Sequence, residues 1–148
     1  EWNQKANFGG EIRAKAVGFA IGEYGYVGTG ADFLGDAIND FWEFDPGLPG
    51  TSGTWTPKAS FPPVLLRDAV GFAIGEYGYV GTGVDGSNQS YDGFWEYDPS
   101  VGTLGEWNQK ANFGADWPTT RAISFSIGNK GYVGIGQNIG QDFYEYCP

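Results

Sequence analysis

An internal repeat constrains the fold of this chain more than any other feature of the sequence. The segment AVGFAIGEYGYVGTG at positions 16–30 recurs without change at 69–83, and a divergent copy, AISFSIGNKGYVGIG, follows at 122–136. Each copy begins 53 residues after the previous one. A fixed period of this length is typical of proteins built from stacked units, in which each unit buries its apolar surface against its neighbours.

Two further signatures recur with the same order in each unit. One is FWEFDP at 41–46, FWEYDP at 94–99 and FYEYCP at 143–148. The other is EWNQKANF at 1–8, TWTPKASF at 54–61 and EWNQKANF again at 106–113. Gly, Pro, Asn and Asp separate these segments, so each unit predicts four short strands, at roughly 16–21, 24–29, 40–45 and 54–59 in the first copy.

The innermost predicted strand is apolar or small on both of its faces. Val17, Phe19 and Ile21 point to one side, and Ala16, Gly18 and Ala20 point to the other. A strand of this kind is expected to be buried on both sides. Four-stranded sheets that stack face to face, with large residues against small ones, are the blades of a β-propeller.

The motifs resemble those of kelch repeats over nearly the whole chain. The resemblance rests on the period, the GYVGTG strand end, the WEYDP strand and the tryptophan that follows it. A G-x-G pattern replaces the usual glycine pair, at 28/30, 81/83 and 134/136, which is closer to bacterial, often secreted, kelch-like arrays. The resemblance implies an all-β propeller and an extracellular or cell-surface location. A chain without Met that begins at Glu1 is also expected to be a processed product or a piece of a longer one.

We therefore predict one domain, 1–148, that forms half of a propeller. It consists of an outer strand at 1–8, blade one at 13–61, blade two at 67–113 and an incomplete blade three at 121–148. Because propellers close with typically four to eight blades, we expect a homodimer with six blades. The N-terminal strand of each chain would complete the last blade of its partner, and the residues expected at this junction are Trp2, Phe143, Tyr144 and Tyr146. Two alternatives remain open: a fragment of a longer six- or seven-bladed array, and an open filament.

Charge and composition exclude several partners. The chain carries 18 acidic and 8 basic residues, a net charge of −10, and no basic cluster. Nucleic acids and anionic membranes are therefore not expected to bind. No apolar run approaches the length of a membrane span. Cys147 is the only cysteine, so a disulfide within the chain is excluded and a link between chains is possible.

The absence of histidine bears most directly on catalysis. Without His and with one Cys, the chain cannot build a zinc site with N and S ligands or a Ser-His or Cys-His nucleophile. Galactose oxidase has kelch-type blades, but the copper site that this resemblance would imply needs His ligands. We predict a non-catalytic module without a cofactor, which binds protein or glycan ligands or assembles with itself. A glycan-acting enzyme that uses carboxylates remains the alternative.

Arginine occurs about once per repeat and suggests a structural role. We expect Arg13, Arg67 and Arg121 to form ion pairs with the recurring Glu43, Glu96 and Glu145. Their register is irregular, since these arginines precede the phenylalanine of the inner strand by six, five and four residues. On regular strands they cannot all face the same way.

The loops that differ between repeats are the expected sites of recognition. Candidate ligand residues in these loops are Asp32, Asp36, Asp85, Asn88, Asn138 and Trp117, the last of which has no counterpart in the other repeats. Asp85, Ser87 and Gln89 also offer the oxygen spacing of a weak calcium site. The alternative interpretation of these residues is that they are solvated turn residues, and that Trp117 anchors its loop.

Overall fold

The computed structural model describes residues 1–62, 64–114 and 118–148, and every regular element in these ranges is a β-strand. No helix among them is long and apolar enough to cross a membrane. In chain order the strands are β1 (Val17–Ile21), β2 (Tyr24–Gly28), β3 (Phe41–Asp45), β4 (Thr54–Lys58), β5 (Leu66–Arg67), β6 (Val70–Ile74), β7 (Tyr77–Gly81), β8 (Val84–Asp85), β9 (Phe94–Asp98), β10 (Glu106–Lys110), β11 (Ile123–Ile127), β12 (Lys130–Gly134) and β13 (Phe143–Tyr146).

These strands form three antiparallel sheets that follow one another along the chain. The first sheet has the order β1-β2-β3-β4, the second β6-β7-β9-β10 and the third β11-β12-β13. The short strands β5 and β8 form a separate pair. The predicted all-β class and the four-stranded antiparallel sheets are therefore confirmed, in a propeller-like arrangement of sheets that is not closed.

Tight hairpins set the register within each sheet. Gly22 begins the turn between β1 and β2 with φ of 57°, a left-handed conformation that suits glycine. This turn places Phe19 opposite Tyr26, and Tyr26 opposite Glu43 on β3. The second and third sheets repeat the register, so equivalent side chains occupy equivalent places in all three.

Neighbouring sheets pack through a large face against a small face. The ring of Phe19 in the first sheet lies over Gly78 of the second, and the ring of Phe72 in the second lies over Gly131 of the third. Two apolar clusters result, one between the first and second sheets and one between the second and third. The alternation along the inner strand predicts this stacking, because a phenyl ring needs a facing position without a side chain.

Candidate functional site

The third sheet exposes the large face that the first two sheets bury. We call Ile123, Phe125, Ile127 and Phe143 the open face. Their exposed fractions are 48%, 41%, 64% and 46%, whereas the equivalents in the second sheet, Val70, Phe72, Ile74 and Phe94, lie between 2% and 6%. An exposed apolar surface of this kind is a candidate interaction site.

The first sheet exposes the complementary small face. A Cβ on Gly78 or Gly131 would collide with the ring of Phe19 or Phe72, respectively. At the equivalent Gly25 only the Cβ of Phe44 comes near, at 3.7 Å. The space over Gly25 is therefore a vacant copy of a pocket that holds a phenyl ring at the two other sheet contacts.

Residues 5–8 contact the first sheet as residues 58–61 contact the second. The backbone N–H of Ala6 donates to Ser52 O at 2.8 Å, and that of Ala59 donates to Leu104 O at 3.0 Å. The Trp55 indole N–H donates to Ala6 O at 3.3 Å, matched by Trp107 to Ala59 O at 2.8 Å. Lys5 donates to Thr51 O as Lys58 donates to Thr103 O. Phe8 packs against a pair of tryptophans, and the equivalent Phe61 does the same.

Residues 1–8, predicted to be an outer strand, form no strand in the single chain. A strand needs a hydrogen-bonded neighbour, and no strand of the described residues pairs with residues 1–8. Trp2 is fully exposed, whereas the equivalent Trp107 is 9% exposed. In the described part of the chain, β13 lies at the edge of the third sheet with no fourth strand beside it.

The four residues expected at the junction fall into two groups: Trp2 and Phe143 are exposed, whereas Tyr144 and Tyr146 pack within the chain. Phe143 lies on the open face, but Tyr146 packs within the chain against Phe94, with ring centroids 5.1 Å apart. Tyr144 likewise packs on Phe113, at 5.0 Å. Because successive side chains of a strand point to opposite faces, Tyr144 and Tyr146 face the second sheet, away from the open face.

The expected ion pairs between the repeated arginines and glutamates are wrong. Each glutamate instead binds a lysine and a tyrosine of its own sheet: Glu43 binds Lys58 at 3.0 Å and accepts a hydrogen bond from Tyr26 at 2.7 Å. Glu96 does the same with Lys110 and Tyr79, and Glu145 with Lys130 and Tyr132. Burial, and then the hydrogen bond to the carboxylate, raise the pKa of Tyr26 and of Tyr79 far above the ordinary tyrosine range.

The arginines bind aspartates instead, namely Asp40 before β3 and Asp68 before β6. Arg13 forms a two-point ion pair with Asp40, at 2.5 and 2.7 Å. Burial alone would raise the pKa of the Asp40 carboxyl, but hydrogen bonds from Arg13 and Trp42 outweigh it and hold this pKa below its usual value. Arg67 and Arg121 both approach Asp68, at 3.6 and 3.3 Å. The three arginines therefore do not occupy equivalent positions in the three sheets, which explains their irregular spacing from the inner strands.

The loops after β2 and β7 share one hydrogen-bonded scaffold. In the first, Asp32 Oδ1 accepts from the backbone N–H of Leu34 and Asp36, both at 2.9 Å. In the second, Asp85 Oδ1 accepts from the N–H of Ser87 and Gln89, at 2.8 and 2.9 Å. The backbone bonds match as well, from Asp32 to Asp36 and from Asp85 to Gln89. These side chains therefore fix their own turns, as local carboxylates often do.

The tips of these two loops differ in chemistry. The first presents Phe33 and Leu34, exposed by 84% and 71%. The second has Gly86 and Ser87 at the same places. Since the scaffold forms with either pair, the fold does not require the apolar tip, and Phe33 and Leu34 are the strongest candidates for contact with a partner on this surface. The difference between the two tips is visible when the first two repeats are compared, but the prediction from sequence favoured the acidic residues of the same loops.

The other predicted loop residues are mostly engaged locally. Asn88 accepts a hydrogen bond from Arg67, and Asn138 donates to Pro118 O at 2.9 Å. Ser87 and Gln89 direct backbone N–H groups toward Asp85, and no group of three or more acidic or Cys side chains among the described residues is placed to hold a metal ion. Trp117 lies outside the described residues.

A groove of about 520 Å³ lies at the opposite end of the first two sheets. It runs between the turns β1–β2 and β6–β7 and is lined by Tyr24, Tyr26, Glu43, Glu76 and Asp98. Glu43 is already bound by Lys58 and Tyr26. The lining offers hydroxyl and carboxylate groups for a polar solute.

Taken together, the described sheets define an all-β protein with a propeller-like arrangement. No family model matches the chain, and no curated protein matches it. Solved structures do match, 125 chains in number. One of them is the structure of YjhT, which aligns with 100% of this chain at 17% sequence identity and a TM-score of 0.75. The alignment covers 56% of the YjhT chain, so this chain spans little more than half the length of that structure.

Proposed function

We propose that the chain is a non-catalytic, kelch-type assembly and binding module. Its three units are three blades, and two copies close a six-bladed ring. The observation that carries this proposal is the N-terminal segment, whose residues 5–8 already occupy the places of 58–61. Residues 1–5 would then form the outer strand of the blade that precedes the first sheet, as 54–58 do for the second.

The vacant surfaces at the two ends of one chain complement each other. In a ring, Phe125 of one copy would enter the space over Gly25 of the other, as Phe19 and Phe72 do over Gly78 and Gly131 within the chain. Contacts between different surfaces join copies head to tail, and they close when the rotation per copy divides a full turn. Two copies of three blades make two equivalent junctions, and six blades lie within the usual range for propellers.

The N-terminal strand also matches the vacant edge in chemistry. Residues 1–5 and 106–110 are both EWNQK. Lys110 of this motif binds Glu96 at 2.8 Å, and Lys58 binds Glu43 at 3.0 Å. Beside β13, Lys5 would meet the equivalent Glu145 of a second copy, and Trp2 would cover its Tyr146 as Trp107 covers Tyr97, at 5.0 Å.

A fragment of a longer array would have the same vacant ends, filled by flanking repeats. The 56% coverage of the YjhT chain fits either arrangement. The two differ in whether the isolated chain pairs with itself, because the end surfaces of a half-ring complement each other, whereas those of a fragment complement its flanking repeats. A glycan-acting enzyme has weaker support, because Glu43 and Glu96 are each bound by a lysine and a tyrosine.

Mass in solution tests the ring. Light scattering after size-exclusion chromatography is expected to give about twice the 16.0 kDa of one chain. Trp2→Ala should shift the protein toward single chains without loss of folding, because Trp2 makes no buried contact in one chain. Leu48→Ala, another exposed apolar side chain, is the control and should leave the mass unchanged. A stable mass of one chain at micromolar concentration would refute the ring.

A further inference from the structure

Three charged residues occupy equivalent positions at one end of the inner strands. Lys15, Asp68 and Arg121 are 53 residues apart and have φ of 59°, 56° and 55°. This left-handed conformation favours glycine, and a side chain there is strained. We call these residues the mouth ring. Thr29, Thr82 and Ile135 share this conformation without charge, so the charges of the mouth ring are not required by the backbone.

Backbone hydrogen bonds join the mouth ring from sheet to sheet. Asp68 N–H donates to Lys15 O at 3.2 Å, and Arg121 N–H donates to Asp68 O at 3.0 Å. Among the described residues, Lys15 N–H and Arg121 O make no backbone hydrogen bond. In the proposed ring, Lys15 N–H of one copy would donate to Arg121 O of the other and so continue these hydrogen bonds. Arg121 would then lie next to Lys15 of the second copy.

Cations outnumber carboxylates at the mouth ring. Lys15, Arg67 and Arg121 all approach Asp68, at 3.5, 3.6 and 3.3 Å. Four other cations each have a carboxylate of their own, namely Arg13, Lys58, Lys110 and Lys130. A chain with a net charge of −10 therefore places three cations around one carboxylate at the mouth ring.

The two cations that would meet at the junction are accessible. The side chains of Lys15 and Arg121 are 39% and 56% exposed, whereas that of Asp68 is 6% exposed. Arg121 uses only its Nε toward Asp68, so its terminal N–H groups have no hydrogen-bond partner within the described part of the chain. A guanidinium fork and an ammonium group side by side suit the oxygens of a carboxylate or a phosphate.

We propose that the mouth ring binds a small oxyanion, a carboxylate or a phosphate, and that this ligand promotes closure of the ring. The inference rests on the proposed assembly. Closure places Arg121 beside Lys15 of the second copy with no aspartate between them, since only the second sheet carries Asp68. The two positive charges repel each other, and an anion that bridges them removes the repulsion. A ligand that binds only the closed form shifts the equilibrium toward it.

The test is the dissociation constant of the dimer in chloride, in inorganic phosphate and in citrate, at constant ionic strength. We expect phosphate or citrate to tighten the dimer about tenfold relative to chloride. Lys15→Gln and Arg121→Gln should abolish this response and tighten the dimer in chloride, because the repulsion is gone. Lys110→Gln, the same charge change at an outer strand, should keep the response. Thermal unfolding of each variant verifies that it is folded.

Comparison of the three salts and the variants identifies the ligand and distinguishes failure of the oxyanion site from failure of the assembly. A response to phosphate alone or to citrate alone supports the site and names its oxyanion. A dimer that forms equally in all three salts refutes the oxyanion site and leaves the ring intact. Equal responses in Lys15→Gln and wild type would also refute it. A chain that stays single in every salt overturns both the site and the assembly.

Discussion

The ring of Phe72 fills the space that a side chain on Gly131 would need. This contact joins the second sheet to the third and repeats the contact between Phe19 and Gly78. Each sheet thus offers a phenyl ring to the next sheet and a glycine to the previous one. The same pair of residues governs how the sheets stack within the chain, and in the described structure Phe125 and Gly25, at its two ends, have no such counterpart.

Alanine at two equivalent glycines should separate folding from assembly. Gly78→Ala forces a methyl group into the ring of Phe19 and should destabilise the chain by about 1–3 kcal/mol, as overpacking of a core does. Gly25→Ala brings its methyl group only to an ordinary contact with the Cβ of Phe44, at 3.7 Å, and should leave the free energy of unfolding of the single chain unchanged, but it should weaken the dimer. Urea denaturation and mass in solution measure the two effects. Equal destabilisation by both variants would contradict this stacking.

A disulfide can report the register of the proposed junction. Glu106 lies opposite Asp98, and Cys147 occupies the position equivalent to Asp98 in the third sheet. Glu1→Cys of one copy should therefore face Cys147 of the other, within reach of a disulfide. Under mild oxidation a covalent dimer is expected on a non-reducing gel.

The control for that experiment is Lys5→Cys. It lies four residues farther along the same strand, about 13 Å from the facing position, and should not cross-link. Cys147→Ser should abolish the Glu1→Cys product. Equal cross-linking by both cysteine variants would show random collision rather than a defined strand pair.

Alkaline pH should destabilise the chain through its buried tyrosines. Tyr26 and Tyr79 are 2% and 1% exposed, and burial together with Glu43 and Glu96 raises their pKa in the folded state. The stability they contribute is complete below the unfolded tyrosine pKa of about 10 and is lost as the pH rises above it. Urea denaturation at increasing pH should therefore show a fall above about pH 10.

The variant Tyr79→Phe tests the cause of that fall. It should cost about 1–2 kcal/mol at neutral pH, because the hydrogen bond to Glu96 is lost, and should reduce the loss of stability at high pH. Tyr77→Phe, at an exposed position in the same strand, should match wild type at every pH. An unchanged pH profile in Tyr79→Phe would show that other groups dominate.

Replacing the apolar loop tip by its counterpart should leave the fold intact. Phe33→Gly with Leu34→Ser copies the tip of the second loop onto an identical hydrogen-bonded scaffold. We expect a change in unfolding free energy within about 0.5 kcal/mol, as for surface positions without buried contacts. The reverse graft, Gly86→Phe with Ser87→Leu, should be equally neutral. A loss of several kcal/mol in the first variant would show that the tip packs on the fold.

The repeat predicted the sheets correctly because their determinants are local. Alternating large and small residues, glycine turns and the 53-residue period determine strand positions, register and the faces that stack. The pairing of charges was predicted wrongly, since it depends on which side chains meet across strands. Lys58 binds Glu43 from the adjacent strand, and Arg13 binds Asp40 across a loop. The spacing of these residues in the sequence does not predict either contact.

The sequence by itself therefore determined the all-β class and the positions of the repeated strands. Only the tertiary structure decided that Tyr146 faces inward while Phe143 lies open, that Gly25 has vacant space, and that three cations share Asp68. The physical reason is the same in each case. Strand formation depends on neighbours along the chain, whereas burial and charge pairing depend on which sheet comes to lie beside another.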